Sequence, residues 1–382
     1  MNDAGLWDLA VVGAGPAGTA AALGALRQRP DARVLLLDSA QFPRDKACGD
    51  GVAPQAFDVW RRLGVQGVAD GHHAVRRLVL TATGGSRADR IMARPAHVVP
   101  RAVLDARLVD AAVAAGASLA RHTVRRLHVH ADRVDIDDVA SARVVVGADG
   151  ANGVSRRSSG AAHAPDGHVA LAIRGYAADA WAADAAEPAQ RIWMDRSGWP
   201  AYAWSFPLLD GSQRANVGYG VLLRDGRVPR RAQLLDGLAR YVPGIDEATR
   251  LRAHHLPLAS SRPRQPPGRL LLVGDAASLV NPFTGEGIFY AALSGALAGK
   301  AAVTAADPGR DYARALKRSL GGHHRDVRVV AALGRSPRLV DAGIRAGARR
   351  ARVFDDLVEL GLADGRLTSR VVLATAAAST GR

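Results

Sequence analysis

The sequence predicts a mixed α/β fold with a parallel-sheet domain, an interleaved, mainly antiparallel β-sheet domain and a helical C-terminal region. The first observation behind this prediction is a strand–glycine turn–helix–strand pattern over residues 8–38. The second is a set of strand-like runs at 77–81, 168–176 and 215–221. The third is the arginine-rich chain after Pro308, which has helical character. A length of 382 residues suits two domains, or one large domain with an insertion.

The N-terminal pattern has the parts of a nucleotide-binding βαβ unit. Two apolar runs, at 8–12 and 33–37, are typical of buried parallel strands, and the second ends at Asp38. An alanine-rich stretch at 19–29 favours a helix between them. The turn that joins the first strand to this helix reads Gly13-Ala14-Gly15-Pro16-Ala17-Gly18.

Each glycine of this turn has a physical purpose in holding a dinucleotide. Gly13 permits a tight bend, Gly15 lets the backbone approach a pyrophosphate, and Gly18 allows the helix to pack closely on the strand. The free N–H groups at the start of the helix attract the phosphates. Asp38 is expected to accept hydrogen bonds from a ribose. The unit therefore predicts a dinucleotide site, without distinguishing FAD from NAD.

Further segments combine glycine and acidic residues at the ends of predicted strands. They are the glycine-rich loop 42–51, the strand end 143–150 with Asp149, the strand end 270–275 with Gly274 and Asp275, and the segment 281–288. The N-terminal unit and the strand ends at Asp149-Gly150 and Gly274-Asp275 resemble the corresponding motifs of FAD-dependent enzymes that include aromatic hydroxylases, flavin halogenases and geranylgeranyl reductases. The resemblance runs from residue 8 to about residue 300.

This resemblance implies an FAD-binding Rossmann-like domain. By match, Asp275 contacts the ribityl chain or ribose, Arg101 reaches the cofactor, and a helix start at 285–288 faces the isoalloxazine ring and pyrophosphate. Such a helix start also stabilises the anionic edge of reduced flavin. The cofactor-binding residues expected are Gly13, Gly15, Pro16, Ala17, Gly18, Asp38, Arg44, Lys46, Cys48, Gly49, Arg101, Asp149, Gly274, Asp275, Pro282, Gly285, Glu286, Gly287 and Ile288.

Two motifs resemble the geranylgeranyl reductase branch in particular. The loop Arg44-x-Lys46-x-Cys48-Gly49 is the first, and the Tyr-x-Trp-x-Phe-Pro pattern at 202–207 is the second. In place of the second motif, halogenases carry a Trp-x-Trp-x-Ile-Pro pattern. This chain has Tyr202 where that pattern begins with Trp, which argues against halogenation.

Aromatic residues concentrate around the second motif. Tyr202, Trp204 and Phe206 alternate at period two, so they project from one face of a strand. Together with Trp193 they are expected to bind an isoprenoid chain or another flat, apolar substrate. An ordinary sheet core is the alternative, because aromatic residues favour strands.

Two residues are candidates for catalysis. Cys48, the one cysteine of the sequence, lies beside Lys46, and this basic setting is expected to lower its thiol pKa. The resemblance places this cysteine near the flavin, and we interpret it as a gating or substrate-contact residue. A small buried hydrophobe is the alternative. Tyr202 is a candidate proton donor.

The predicted boundaries divide the chain discontinuously. The FAD-binding domain covers 1–75, 100–160 and 265–305, the substrate-binding β-sheet domain covers 76–99 and 161–264, and the C-terminal helical region covers 306–382. Within that region, breaks are expected at Gly321-Gly322 and at Ser336-Pro337, and the last fourteen residues are expected to fray.

Charge and composition bound the partners. The formal net charge is +15, which suits nucleic acid, a membrane surface or an anionic ligand. The two phosphates of FAD already account for some of the arginines. We therefore expect no nucleic-acid partner. A basic group, Arg345, Arg349, Arg350 and Arg352, is either a solvated helical face or a surface that faces anionic lipid or a phosphorylated substrate. Adjacent histidine pairs lack the spacing of metal ligands, so no metal is expected.

The N-terminus has no signal peptide pattern, so we expect a cytoplasmic protein. We further expect a monomer or a dimer.

The leading functional hypothesis is a reductase. Reduced FAD, replenished by NAD(P)H or another transiently bound external reductant, would deliver hydride to a carbon–carbon double bond of an apolar small molecule. Alternatives are an FAD-dependent monooxygenase, a flavin dehydrogenase or oxidase of a specialised metabolite, and a non-enzymatic basic binder of membrane or nucleic-acid surfaces.

Overall fold

The computed structural model describes residues 5–161, 164–183, 187–261 and 265–380. The predicted domain ranges also include residues 1–4, 162–163, 184–186, 262–264 and 381–382, which lie outside the described residues. The strands are β1 (Leu6–Val12), β2 (Val34–Asp38), β3 (Gly51–Val52), β4 (Val75–Thr81), β5 (Arg87–Val98), β6 (Ser118–Arg121), β7 (Leu127–Val129), β8 (Val134–Ile136), β9 (Ala140–Gly147), β10 (Val169–Ala178), β11 (Ala189–Asp195), β12 (Ala201–Pro207), β13 (Arg214–Leu222), β14 (Thr249–Pro257) and β15 (Leu270–Leu272). The helices are α1 (Pro16–Gln28), α2 (Pro54–Arg62), α3 (Arg101–Ala114), α4 (Val154–Ser158), α5 (Arg231–Ala239), α6 (Ile288–Thr304), α7 (Pro308–Leu333), α8 (Pro337–Arg349), α9 (Ala351–Leu362) and α10 (Ser369–Ser379).

The first sheet forms the nucleotide-binding half of the molecule. Its strand order is β6-β2-β1-β9-β8-β7, and β15 pairs in parallel with β9. The pairs β1–β2, β1–β9 and β2–β6 are also parallel. The carboxyl ends of these strands therefore meet at one edge, where an open α/β sheet binds its ligand.

Helices α1 and α6 pack tightly together on this sheet. A Cβ atom at Gly295 would lie 2.0 Å from the carbonyl oxygen of Ala17, and one at Gly299 would lie 1.9 Å from that of Ala21. Only glycine allows so close an approach of two helix backbones. This contact fixes the first turns of α1 against the middle of α6.

The second sheet is larger and mainly antiparallel. Its strand order is β14-β10-β13-β12-β11-β4-β5-β3, with β4 and β11 paired in parallel. Successive residues face opposite sides. One side, here called the outer face, packs Ile173, Val217 and Tyr219 against Leu234 and Leu238 of α5. The other side, the cavity face, turns towards the first sheet.

The C-terminal region is helical, as predicted, and the mixed α/β fold class is confirmed. Helix α7 ends and helix α8 begins at the break that Ser336-Pro337 predicts. The expected break at Gly321-Gly322 is wrong, because α7 continues through both residues; a Cβ at Gly322 would lie 2.5 Å from the Arg366 guanidinium, so this glycine serves packing. The expected fraying of the last residues is also wrong over α10, which buries Val371, Ala374 and Ala378. Within the described chain, no helix is long and apolar enough to cross a membrane.

Candidate cofactor and substrate cavity

A cavity of about 1310 Å³ lies between the two sheets and the C-terminal helices. A single drug-sized ligand occupies a pocket of roughly 300–1,000 Å³, so this cavity has room for a dinucleotide and a second molecule. The residues that the sequence predicted and that line it are Gly13, Gly15, Pro16, Ala17, Asp38, Arg44, Lys46, Cys48, Gly49, Arg101, Asp149, Tyr202, Trp204, Phe206, Asp275, Pro282, Gly285, Glu286, Gly287 and Ile288.

Three predicted residues lie outside the cavity lining. A Cβ at Gly18 would lie 1.8 Å from the carbonyl oxygen of Gly13, so Gly18 sits between helix and strand, where the sequence argument placed it. Gly274 has a positive φ of 54° and packs against Ala17 behind the cavity. Trp193 lies on the outer face and is treated below.

The turn after β1 is shaped to receive phosphate groups. Gly13 has φ 101°, and a Cβ there would lie 2.4 Å from the carbonyl oxygen of Ala148. Asp38, at the end of β2, accepts hydrogen bonds from the backbone N–H of Ala14 and of Ala40, each at 2.8 Å. The carboxylate therefore fixes the turn, and because Asp38 lines the cavity, its remaining acceptor capacity is available to a ribose hydroxyl.

Two arginines flank this turn. A Cβ at Gly15 would lie 3.6 Å from the guanidinium groups of both Arg44 and Arg101. Both arginines pair with Asp105, Arg44 at 2.5 Å and Arg101 at 2.6 and 2.7 Å. Burial on its own would lower the pKa of Arg101, but the Asp105 carboxylate raises it, so this guanidinium stays charged. One carboxylate against two guanidinium groups leaves a net positive charge beside the turn, which suits a diphosphate.

Asp105 is a residue that the sequence argument missed. It is fully buried, one helical turn after Arg101 in α3. The i, i+4 spacing of Arg101 and Asp105 was a readable signal for their ion pair. The ion pair of Asp105 with Arg44, which is 61 residues away, could not be predicted from local spacing.

A second charged group lies at the end of β15. Asp275 Oδ2 lies 3.9 Å from Lys46 Nζ and 3.8 Å from His254 Nε2. Burial on its own would raise the pKa of Asp275, but His254 and the charge of Lys46 lower it to about 2. Asp275 is therefore ionised at neutral pH and able to accept hydrogen bonds from a ligand hydroxyl.

The start of α6 closes the cavity on the same side. Glu286 accepts a hydrogen bond from the backbone N–H of Phe289 at 2.9 Å, which caps the helix. Burial raises the pKa of Glu286 to about 7. Asp149 in turn accepts a bond from the Ser155 N–H at 2.9 Å, and its Oδ1 has no partner among the described residues. Burial raises the pKa of Asp149 as well.

Together these residues fit FAD. The glycine turn, Arg44 and Arg101 suit its diphosphate, Asp38 its adenosine ribose, Asp275 its ribityl chain, and the start of α6 its ring.

The aromatic row, Tyr202, Trp204 and Phe206, stands on the cavity face of β12. Neighbouring rings are 5.8 and 6.3 Å apart between centroids, within the range of favourable aromatic pairs. The Trp204 indole lies directly over Gly218 of β13, where a Cβ would come within 2.1 Å of the ring. The structure thus brings these three of the four predicted rings to the cavity.

The prediction for Trp193 differs from the structure. Trp193 points to the outer face, where its ring lies 5.1 Å from Trp181 and 6.2 Å from Tyr241. Its neighbours Ile192 and Met194 line the cavity instead. Nearness in sequence could not show this, because a shift of one residue along a strand reverses the face.

The two catalytic candidates lie in the cavity lining, but their environments differ from expectation. Burial raises the pKa of the Cys48 thiol, so the expected lowering by Lys46 is wrong. Burial also raises the pKa of Tyr202, and its hydroxyl donates to the carbonyl oxygen of Thr284 at 2.6 Å. The raised pKa of Tyr202 and its hydrogen bond to Thr284 both oppose a role for Tyr202 as a proton donor.

The cavity continues past the aromatic row into the C-terminal helices. Apolar side chains from α7 to α10 line this end: Val330, Leu333, Leu339, Val340, Ile344, Leu357, Val358, Leu362, Val371 and Val372. That apolar side chains of this region line the cavity was not predicted from the sequence.

Comparisons with known proteins agree with this geometry. A family model described as an FAD binding domain matches residues 7–199. The menaquinone reductase of Mycolicibacterium smegmatis is 35% identical, over 76% of this chain and 75% of that protein. The digeranylgeranylglycerophospholipid reductase 1 of Methanopyrus kandleri is 31% identical, over 82% of this chain and 84% of that protein. This chain belongs to the geranylgeranyl reductase family of FAD-dependent oxidoreductases.

Solved structures agree on the fold of this family member. A geranylgeranyl bacteriochlorophyll reductase-like protein from Thermoplasma acidophilum superposes with a TM-score of 0.77 at 19% identity, over 97% of this chain and 96% of that one. A flavin-dependent brominase superposes with a TM-score of 0.72 at 15% identity, over 98% and 99%. At these identities the likeness concerns the fold alone.

Proposed function

We propose that this protein reduces carbon–carbon double bonds of a substrate with a long isoprenoid chain. The observation that carries the proposal is one continuous cavity, which runs from the FAD-binding residues past the aromatic row into the apolar C-terminal helices. A chain of isoprene units needs such a long, apolar and dry site. The names of the relatives, which refer to menaquinone and to digeranylgeranyl lipids, support the same substrate class.

The protein's part in this reaction is to position the substrate and exclude water. FAD, when bound and reduced, supplies hydride for the double bond, and a proton must reach the other carbon. The aromatic row would hold the chain flat beside the cofactor, within the 3–3.5 Å or so that transfer requires. Glu286, with a pKa of about 7, holds a proton near neutral pH in the same lining.

The two sheets would bind different molecules in this reaction. The first sheet, with α3 and α6, would hold FAD, while the second sheet and α7 to α10 would hold the substrate. The sequence carries one complete strand–glycine turn–helix unit, and FAD would occupy it. NAD(P)H or another external reductant would therefore bind only transiently.

The test is anaerobic turnover of the FAD-loaded protein. With dithionite or NAD(P)H as reductant, menaquinone and a geranylgeranyl lipid are the probes, and product is measured by mass spectrometry. We expect a gain of two hydrogens per reduced double bond without oxygen. Product that forms only in oxygen and contains labelled oxygen would instead establish a monooxygenase.

We also propose that the apolar end of the cavity opens towards a lipid surface. Val329 and Leu373 are 46% and 68% exposed, and their chain neighbours Val330 and Val372 line the cavity. Arg328 and Arg335 also contribute to the lining, which suits anionic headgroups. The basic group predicted from sequence fits this role less well, because Arg345 pairs with Asp341 and donates to the carbonyl oxygen of Ala378.

Vesicle pelleting tests this opening. The double variant Val329→Glu with Leu373→Glu should pellet less with vesicles that contain anionic lipid than the unchanged protein does. The double variant Val129→Glu with Val139→Glu, at apolar residues 47% and 58% exposed next to β8, adds the same charge elsewhere and is the matched control. Equal pelleting of the Val329 and Leu373 double variant and the unchanged protein would overturn the assignment.

A further inference from the structure

A buried polar cluster lies directly behind Cys48. It includes one residue of the loop 42–51, which we call the Cys48 loop. Asp50 Oδ2 accepts hydrogen bonds from the Tyr176 hydroxyl and from Asn216 Nδ2, the latter at 2.8 Å. Asn216 Nδ2 also donates to the carbonyl oxygen of Cys48 at 2.8 Å, and Asn216 Oδ1 accepts from the Trp204 indole N–H at 2.9 Å. We call Asp50, Tyr176 and Asn216 the Asp50 cluster. It joins the Cys48 loop and the aromatic row through one amide side chain.

The backbone of this loop is held in an unusual conformation. Asp50 has φ 59°, in the left-handed region that costs most residues energy, and its side chain is completely buried. Oδ1 of Asp50 has no hydrogen-bond partner among the described residues. Burial raises the pKa of Asp50 to about 6 despite its two hydrogen bonds. A buried, incompletely paired carboxyl destabilises a fold, so stability alone does not account for it.

The start of the loop is held by a second contact from the same strand. Arg174 pairs with Asp45 and donates to the carbonyl oxygen of Lys46 at 2.7 Å. Arg174 and Tyr176 alternate on β10, so both reach the loop from the cavity face. The charged and titratable groups around Asp50 are Arg174 and Tyr176 on β10, Arg101 on α3, and Cys48 on the loop itself.

We propose that the Asp50 cluster positions the Cys48 loop and Trp204 relative to one another, so that the two sides of the substrate space keep a fixed separation. Neither Tyr176 nor Asn216 lines the cavity, so these two are positioning residues that act through Cys48 and Trp204. The consequence for turnover rests on the proposed function. The contacts themselves do not.

The single cysteine of the sequence makes this position measurable. In the FAD-loaded protein, the rate at which a maleimide labels Cys48 reports how firmly the loop is held. We expect Asn216→Ala to speed labelling by roughly tenfold or more, and Tyr176→Phe by roughly three- to tenfold, because the first removes three hydrogen bonds and the second removes one. Both variants should lower kcat more than they weaken FAD binding.

Tyr219→Phe is the matched control. Its hydroxyl donates to Asp195 Oδ2 at 2.6 Å on the outer face of the same sheet, so it removes a similar bond away from the loop. It should label at the rate of the unchanged protein. Labelling of Asn216→Ala at that same rate, or equal acceleration in Tyr219→Phe and Tyr176→Phe, would overturn the proposal. Because labelling needs no turnover, failure to reduce prenyl substrates would reject the proposed function and leave this test intact.

Discussion

The two faces of the second sheet carry the same chemical pair in different surroundings. On the cavity face, Tyr176 donates to Asp50, and burial raises the pKa of that carboxyl to about 6. On the outer face, Tyr219 donates to Asp195. Burial alone would raise the pKa of Asp195 too, but Tyr219, Ser197 and Arg240 donate to it and lower its pKa to about 2.

The number of donors explains this difference. Asp195 uses both oxygens. The backbone N–H of Ser197 donates to Oδ1, while the Tyr219 hydroxyl and the charged Arg240 donate to Oδ2. Asp50 has partners at one oxygen only in the part of the chain that the structure describes. Complete pairing is typical of a group that stabilises the fold, whereas an incompletely paired carboxyl beside a cavity is typical of a functional site. The outer face therefore serves stability, and the cavity face serves the site.

The largest expected effect comes from comparing one tryptophan on each face. Trp204→Ala should lower kcat by roughly 100-fold, because it removes a ring of the substrate space and the partner of Asn216, while FAD absorbance is retained. Trp193→Ala should leave kcat near its original value and lower the free energy of unfolding by about 1–3 kcal/mol. Steady-state kinetics and urea unfolding measure the two. Loss of turnover in Trp193→Ala would show that the outer face also belongs to the site.

The pH dependence of stability should separate the two aspartates. Asp50 binds its proton more tightly in the folded protein, with a pKa of about 6 against an ordinary 3.8, so the unchanged protein loses stability as the pH rises from about 4 to 6. Asp50→Asn, which is neutral throughout and keeps an oxygen acceptor, should avoid a loss of up to about 3 kcal/mol.

Asp195→Asn should behave in the opposite way. The lowered pKa of Asp195 contributes stability that is fully present above pH 3.8 and is lost as the pH falls towards 2. Between pH 4 and 7 this variant should be destabilised by a constant amount. Urea unfolding at saturating FAD checks both variants, and parallel curves for Asp50→Asn and the unchanged protein would contradict the assignment.

Asp275 shows whether facing the cavity is sufficient to raise a carboxyl pKa. It lines the cavity as Asp50 does, yet its pKa is about 2, because His254 and Lys46 lie close to it. Asp275→Ala should therefore weaken FAD binding by roughly tenfold at every pH between 5 and 8, with no titration in that range. Fluorescence titration with FAD measures this. A pH-dependent loss would contradict the low pKa.

The features that could be predicted best from the sequence are local motifs. The turn at 13–18 and the alternation of the aromatic row follow from chain spacing alone. The Asp50 cluster could not be predicted in this way, because Tyr176 and Asn216 stand 126 and 168 residues after the loop residues that they contact. The position of Trp193 failed for a related reason, since the face of a strand depends on a register set by its partners. Long-range pairing, rather than composition, decides these features.

The smallest effect should come from Tyr202, and it distinguishes two roles for that residue. If the hydroxyl serves only to hold the ring through the carbonyl of Thr284, Tyr202→Phe removes one neutral hydrogen bond and lowers kcat by roughly two- to tenfold. A proton donor would instead lose about 10²–10⁴-fold. Tyr241→Phe, whose hydroxyl contacts Asp195 at 3.1 Å on the outer face, is the control and should turn over normally. Because burial raises the pKa of Tyr202 and a carbonyl already accepts its proton, we expect the smaller loss, with kcat as the measurement.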